Sequence, residues 1–167
     1  PIYSYKSTSR KGQPFIIKPF DIMYAYTDFD NNKVKIYRPY GDKDEKWFTN
    51  CTQNDVGSID HLPISGDLLV ISKSYKDCRV LRNQKLNSVW FQNEGMIPSP
   101  TILKSLCKRF KKIVVWFDND EAGIKAAKLV VSHINSLFPG IAIAIHLDVE
   151  LLQEGIKDPS DLQAKKG

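Results

Sequence analysis

Apolar and polar positions change rhythm along this chain near residue 65. Beyond it, short continuous apolar runs alternate with stretches of helical period. DLLVIS (67–72), LNSVWFQ (86–92), KKIVVWF (111–117) and IAIAIHL (141–147) read as strands. YKDCRVLRNQ (75–84), SPTILKSLCKRF (99–110), EAGIKAAKLVVSHINSLF (121–138) and PSDLQAKK (159–166) read as helices. Ser99 before Pro100 is a helix start signal, and Pro139-Gly140 a stop. Strand–helix alternation predicts an α/β fold with a mostly parallel sheet flanked by helices. Continuous rather than alternating apolar strands agree with a sheet covered on both faces.

Before residue 65 the texture is that of short strands and turns. PFIIKPF (14–20) has Pro near both ends and suits a short edge strand. Ile22–Thr27 and Lys33–Tyr37 read as a hairpin around the turn-forming residues 28–32, and KWFTN (46–50) as a further strand. The loop HLPISGD (61–67) is the expected seam, giving a small β-rich subdomain over 1–65 and the α/β domain over 66–167.

Composition narrows the class. The 167 residues are 42% hydrophobic and 26% charged, ordinary for a globular domain, and no apolar run is long enough to span a bilayer. The first residues show no signal-peptide pattern, and a chain opening on Pro1 reads as a fragment or processed product. Cys51, Cys78 and Cys107 lie far apart with no ligand spacing, which argues against a structural zinc site and for a reducing cytosol. His61, His133 and His146 show no metal spacing either; His146, at the end of a strand, is a structural residue first. The net charge of +5 favours polyanions only weakly.

The candidate chemistry lies where VVWF (114–117) runs into Asp118-Asn119-Asp120. In a parallel sheet ligands bind at the carboxyl ends of the strands. Carboxylates two residues apart in an extended segment point the same way and suit a hard cation such as Mg²⁺ or Mn²⁺. Asp at a strand end also serves as helix N-cap, and both uses are open here. Asp158 and Asp161 form a second acidic pair: Asp158 reads as a cap of the last helix, Asp161 as a first-turn charge or as a partner of Asp118 and Asp120.

FDNDEAGIKAA followed about 30 residues later by KDPSD resembles the Toprim domain of topoisomerases, primases and some nucleases, and is most similar to its primase branch. LLVISKSYKD looks like the first strand and turn of that domain, so the resemblance covers roughly 66–165. KIYRP and KWFTN look similar to the segment that precedes Toprim in primase-like proteins of large phages. The resemblance implies Mg²⁺ or Mn²⁺ at Asp118 and Asp120 with Asp161 or Asp158 in support, and nucleotidyl transfer that makes RNA primers. It implies single-stranded DNA and nucleoside triphosphates as partners, a helicase or zinc module elsewhere, no membrane, and the cytoplasm of a bacterium or phage-infected cell.

One departure matters. The family's catalytic Glu, aligned on Asp77, is Lys73 here, and the following Gly is Ser74. Glu94, in FQNEG after the second strand of the domain, lies at the same sheet edge by topology and is a candidate replacement. Lys73 can instead hold a phosphate as a point charge, or pair with Asp118 or Asp120 in place of metal. The first two readings together are favoured, because the Asp pair and KDPSD are intact; they make Asp118, Asp120, Glu94 and Lys73 the candidate catalytic residues.

Lys73, Lys76, Arg79, Lys108 and Arg109, with Arg38 and Lys46 in the first subdomain, are candidate contacts to phosphate or nucleic acid, although such runs are usually solvated faces. Tyr37, Tyr40, Trp47 and Phe48 can stack bases or fill a small core. The rival readings are a Toprim nuclease, and a nucleic-acid-binding module without chemistry because of Lys73.

Overall fold

The computed structural model of the chain describes the backbone of 5–8 and 14–17, then residues 22–27, 29 and 33–167. The remainder of the 28–32 turn lies outside the described residues. Contacts divide the chain into two units, 1–51 and 52–167.

The first unit has β1 (Tyr5–Thr8) paired antiparallel with β2 (Pro14–Ile17). A separate antiparallel sheet joins β3 (Tyr24–Tyr26), β4 (Lys35–Tyr37) and β5 (Trp47–Thr49) in that order. The expected hairpin and third strand are therefore present. Pairing puts Tyr24, Tyr37 and Trp47 in one row of one face. The Tyr37 and Trp47 rings stack with centroids 4.4 Å apart, and Lys35 Nζ lies 4.9 Å above the Trp47 ring. Burial lowers the Lys35 pKa to about 8, against a smaller opposing effect of Cys51. Ile36 points to the other face and is buried.

The second unit holds a four-stranded parallel sheet: β6 (Gly66–Ser72), β7 (Asn87–Trp90), β8 (Phe110–Val115) and β9 (Ala142–Ala144), in the order β7-β6-β8-β9. Helices α1 (Tyr75–Asn83), α2 (Pro100–Arg109) and α3 (Glu121–Leu137) connect successive strands. The short α4 (Val149–Gln153), which periodicity did not reveal, and α5 (Pro159–Lys166) close the chain. The core joins Leu69, Ile71, Val89, Ile113 and Val115 of the strands to Leu106 of α2 and Val130 and Ile134 of α3. None of these exceeds a few per cent exposure, as continuous apolar strands require. Among the described residues, no helix is long and apolar enough to cross a membrane.

Three details differ from expectation. Val56 and Leu62 belong to the core of the second unit, and Gly57 makes an antiparallel bridge to Trp90. The units thus divide after Cys51, ahead of the texture change near 65. A side chain on Gly57 would put Cβ 2.0 Å from Trp90 Nε1, which explains Gly at that bridge. Ser99 holds the N-cap position of α2, but its side chain makes no capping bond. β9 ends at Ala144, so His146 lies beyond the strand and is exposed.

Candidate functional site

Parallel register decides what meets at the sheet edge. Ser72 pairs with Trp90, and Ile71 with Val115, so β6, β7 and β8 end together. Lys73 follows β6 directly, Glu94 lies in the turn after β7, and Asp118 lies just beyond β8. Lys73 Nζ donates to Glu94 Oε1 at 3.1 Å and to Asp118 Oδ2. The lysine therefore bridges two carboxylates that come from different strands.

All three side chains are mostly shielded: Lys73 is 27% exposed, Glu94 24% and Asp118 16%. Asp118 Oδ1 is buried and has no hydrogen-bond partner among the described residues. Burial disfavours the Lys73 charge, but bonds and charge from Asp118 and Glu94 outweigh it and raise the lysine pKa. Asp118 is also raised, by burial first and by the charges of Asp158 and Glu94, which together exceed the help from Lys73. The carboxylates around the edge act on both groups: they raise Lys73 against its burial, and they add to the burial that raises Asp118.

The Asp118 turn is fixed from two sides. Asp120 caps α3, its Oδ1 accepting the Gly123 N–H at 2.8 Å. Gly123 packs so tightly that an added Cβ would lie 2.1 Å from the Asp118 carbonyl oxygen. Asn119, between the two acids, is buried; its side chain bonds Leu147 O at 2.9 Å and Leu147 N–H at 3.2 Å, and its own N–H reaches Lys157 O at 2.8 Å. Asn119 was absent from the sequence-based candidates. Its only sequence signal is position: in an extended segment it points opposite to its acidic neighbours.

A second polar group lies where α1 and α5 begin. Asp77 is 1% exposed; its Oδ1 accepts from Ser160 Oγ at 2.8 Å and its Oδ2 from Ser74 Oγ. Ser160 Oγ also stands 2.7 Å from Asp158 Oδ1. One hydroxyl proton serves one of these two carboxylates at a time. Burial, then the Asp158 charge, pushes Asp77 up to about 6, only partly offset by Ser74, Ser160 and Lys76. Burial presses Asp158 upward too, but Lys76 Nζ at 2.7 Å, the Asp161 N–H and Ser160 prevail and hold it below the usual range.

Several candidates are otherwise engaged. Asp158 caps α5, and Asp161 Oδ2 accepts the Lys157 N–H at 3.1 Å. Arg109, a candidate nucleic-acid contact, donates to the carbonyls of Leu62 and Pro63. Lys76 pairs with Asp158, Arg38 pairs with Glu45 at 3.3 Å, and Arg79 lies 5.9 Å from the Tyr75 ring. Lys108 is exposed and Lys46 half-buried.

A divalent ion fits the Glu94–Asp118 position by the test of a stand-in. The Lys73 ammonium shows that Glu94 Oε1 and Asp118 Oδ2 converge on one positive centre. Among the described residues no three His, Cys, Asp or Glu side chains form a metal cage. Mg²⁺ needs none, since one or two carboxylates with substrate phosphates and water suffice.

Comparisons with known proteins agree with this architecture. A family model described as the Toprim domain matches residues 63–147, just over half of the chain. The fold is similar to the primase fragment of the bacteriophage T7 primase-helicase protein, with 18% identity and TM-score 0.57 over 98% of this chain and 62% of that one. It is similar to the DnaG primase catalytic domain bound to ssDNA, with 14% identity and TM-score 0.68 over 97% and 54%. A DNA primase domain from Pseudomonas aeruginosa gives 17% identity and TM-score 0.65 over 98% and 52%. The chain thus spans less than two thirds of each of these structures. No curated protein matches the sequence. The chain belongs to the Toprim domain family, and its fold is that of DNA primase catalytic cores.

Proposed function

We propose that this chain is a primase-like nucleotidyltransferase core that joins ribonucleotides on a single-stranded DNA template. The observation that carries the reading is the Lys73–Glu94–Asp118 bridge at the carboxyl edge of a Toprim sheet. The family's acidic chemistry there is redistributed rather than lost: Glu94, after β7, and Asp118, after β8, converge on Lys73 from opposite sides of β6. The primase-type fold over nearly the whole chain, and the ssDNA seen on the DnaG neighbour, support the template assignment.

Glu94 and Asp118 would hold Mg²⁺ or Mn²⁺, with Asp120 exposed at the adjacent helix start. That ion, when bound, supplies charge neutralisation at the reacting phosphate. Lys73 gives a mobile point charge for triphosphate oxygens. Asn119 and Gly123 hold the Asp118 turn in place, and Lys76 is kept at the same edge by Asp158.

Primer synthesis on single-stranded DNA with labelled ribonucleoside triphosphates in Mg²⁺ or Mn²⁺ tests this. Template-dependent products that vanish in Asp118→Asn are expected. Triphosphate-independent cleavage of the DNA would replace the reading with a nuclease. A second reading, nucleic-acid binding without chemistry, is favoured by the Lys73 ammonium occupying the cation position. It predicts DNA binding indifferent to divalent metal and no products.

A further inference from the structure

We propose that Lys73 is a built-in competitor for the divalent ion, so that metal binding at Glu94 and Asp118 requires the lysine to leave and frees its ammonium for phosphate. This deepens the nucleotidyl-transfer reading and rests on it for the identity of the phosphate ligand, but the competition itself is a property of three side chains.

The argument is one of charge and space. A single ammonium donates to Glu94 Oε1 and to Asp118 Oδ2. A divalent ion binding the same two oxygens needs the position that Nζ holds, and two positive centres cannot share it. Lysine has the freedom to yield: it is a flexible four-carbon stem rather than a fixed fork. Among the described residues its hydrogen bonds run to the two carboxylates and to no backbone carbonyl.

The displacement changes the sign of the site. With both carboxylates ionised, the resting bridge carries a net charge of about −1, which repels phosphate. With a divalent ion on the carboxylates and Lys73 still close by, the same groups carry about +1 and attract it. Metal alone therefore binds weakly, because it works against the lysine. Metal arriving with a triphosphate binds better, because the released ammonium gains a partner. Asp118 Oδ1, buried and without a hydrogen-bond partner among the described residues, adds an oxygen that the lysine leaves unused.

Calorimetric titration of the intact chain with Mn²⁺ tests the competition directly. Lys73→Met is expected to bind Mn²⁺ at least about tenfold more tightly than the natural sequence, since one opposing charge is gone. Adding Glu94→Gln should remove that gain. Equal or weaker binding by Lys73→Met, or a gain that survives Glu94→Gln, overturns the proposal. A second measurement needs no variant. Lysine acylation followed by peptide mapping should show Lys73 reacting faster as Mg²⁺ is added, while Lys76, paired with Asp158, stays constant. A Lys73 rate unchanged or lowered by Mg²⁺ overturns it equally. Neither readout depends on primer synthesis. Absence of primers with the competition intact removes only the catalytic reading, and primers without the competition remove only this one.

Discussion

Lys73 and Asp118 are 45 positions apart in the chain and in direct hydrogen-bond contact at the end of adjacent parallel strands. Glu94 completes the bridge from the strand on the other side of β6. Removing the Asp118 charge leaves the lysine with one partner. Asp118→Asn should abolish Mn²⁺ binding at this edge and lower nucleotidyl transfer by about a hundredfold or more, the scale of losing one preorganised charge at a reacting phosphate. Single-turnover assays alongside calorimetry would check both. Retained binding would show that the ion does not use Asp118.

Gly123 lies against the Asp118 carbonyl, and the clash of an added Cβ is with backbone rather than with a movable side chain. Gly123→Ala should destabilise by about 1–3 kcal/mol, the range for overpacking, and displace the turn that carries Asp118. Urea unfolding gives the first quantity; the second appears as weaker Mn²⁺ binding at temperatures where the variant is folded.

Asn119 ties the same turn to the loop after β9 and to the segment before α5. Asn119→Ala leaves the Leu147 N–H and carbonyl to find other partners, at a cost of about 1–3 kcal/mol. As a positioning residue, it should lower the rate of transfer more than it raises the nucleotide KM. A purely structural residue would change Tm and leave that ratio alone.

Asp77 has a folded-state pKa of about 6, above its unfolded value. The folded protein then binds more protons than the unfolded one between about pH 4 and pH 6. This group's contribution to stability is complete below that window, falls as pH rises through it, and is flat above. The full span is on the order of 3 kcal/mol for a shift of about two pKa units. Asp77→Asn should remove that slope, so the difference between the two stability curves, measured by urea unfolding from pH 4 to 7, isolates it. Identical slopes would show that Asp77 titrates normally.

Arg109 and Lys108 are neighbours with opposite expected phenotypes. Arg109→Ala loses the bonds to the Leu62 and Pro63 carbonyls and should cost about 1–2 kcal/mol of stability with single-stranded DNA affinity unchanged. Lys108→Ala removes an exposed charge and should leave stability within about 0.5 kcal/mol. A fluorescence anisotropy titration with labelled DNA would show which of the two reaches nucleic acid.

The sequence by itself determined most of the elements and the position of the acidic pair after a strand. Apolar runs such as IVVWF are local features whose burial on both faces leaves only a covered parallel strand as a solution, and Asp118 and Asp120 follow that strand in the chain. What only the tertiary structure decided was who partners whom. Asp120 read as ligand or cap, and Asp158 as a cap whose ligand role only the resemblance implied; the fold places their oxygens on the N–H groups of Gly123 and Asp161. Arg109, a candidate phosphate contact by sequence, has a loop carbonyl within its reach that no local pattern shows. Lys73 had two possible uses, a phosphate contact or an ion pair, because its partners lie on different strands. Strand order β7-β6-β8 puts Glu94 on one side and Asp118 on the other. Order and register arise from packing between distant segments, which no local pattern encodes.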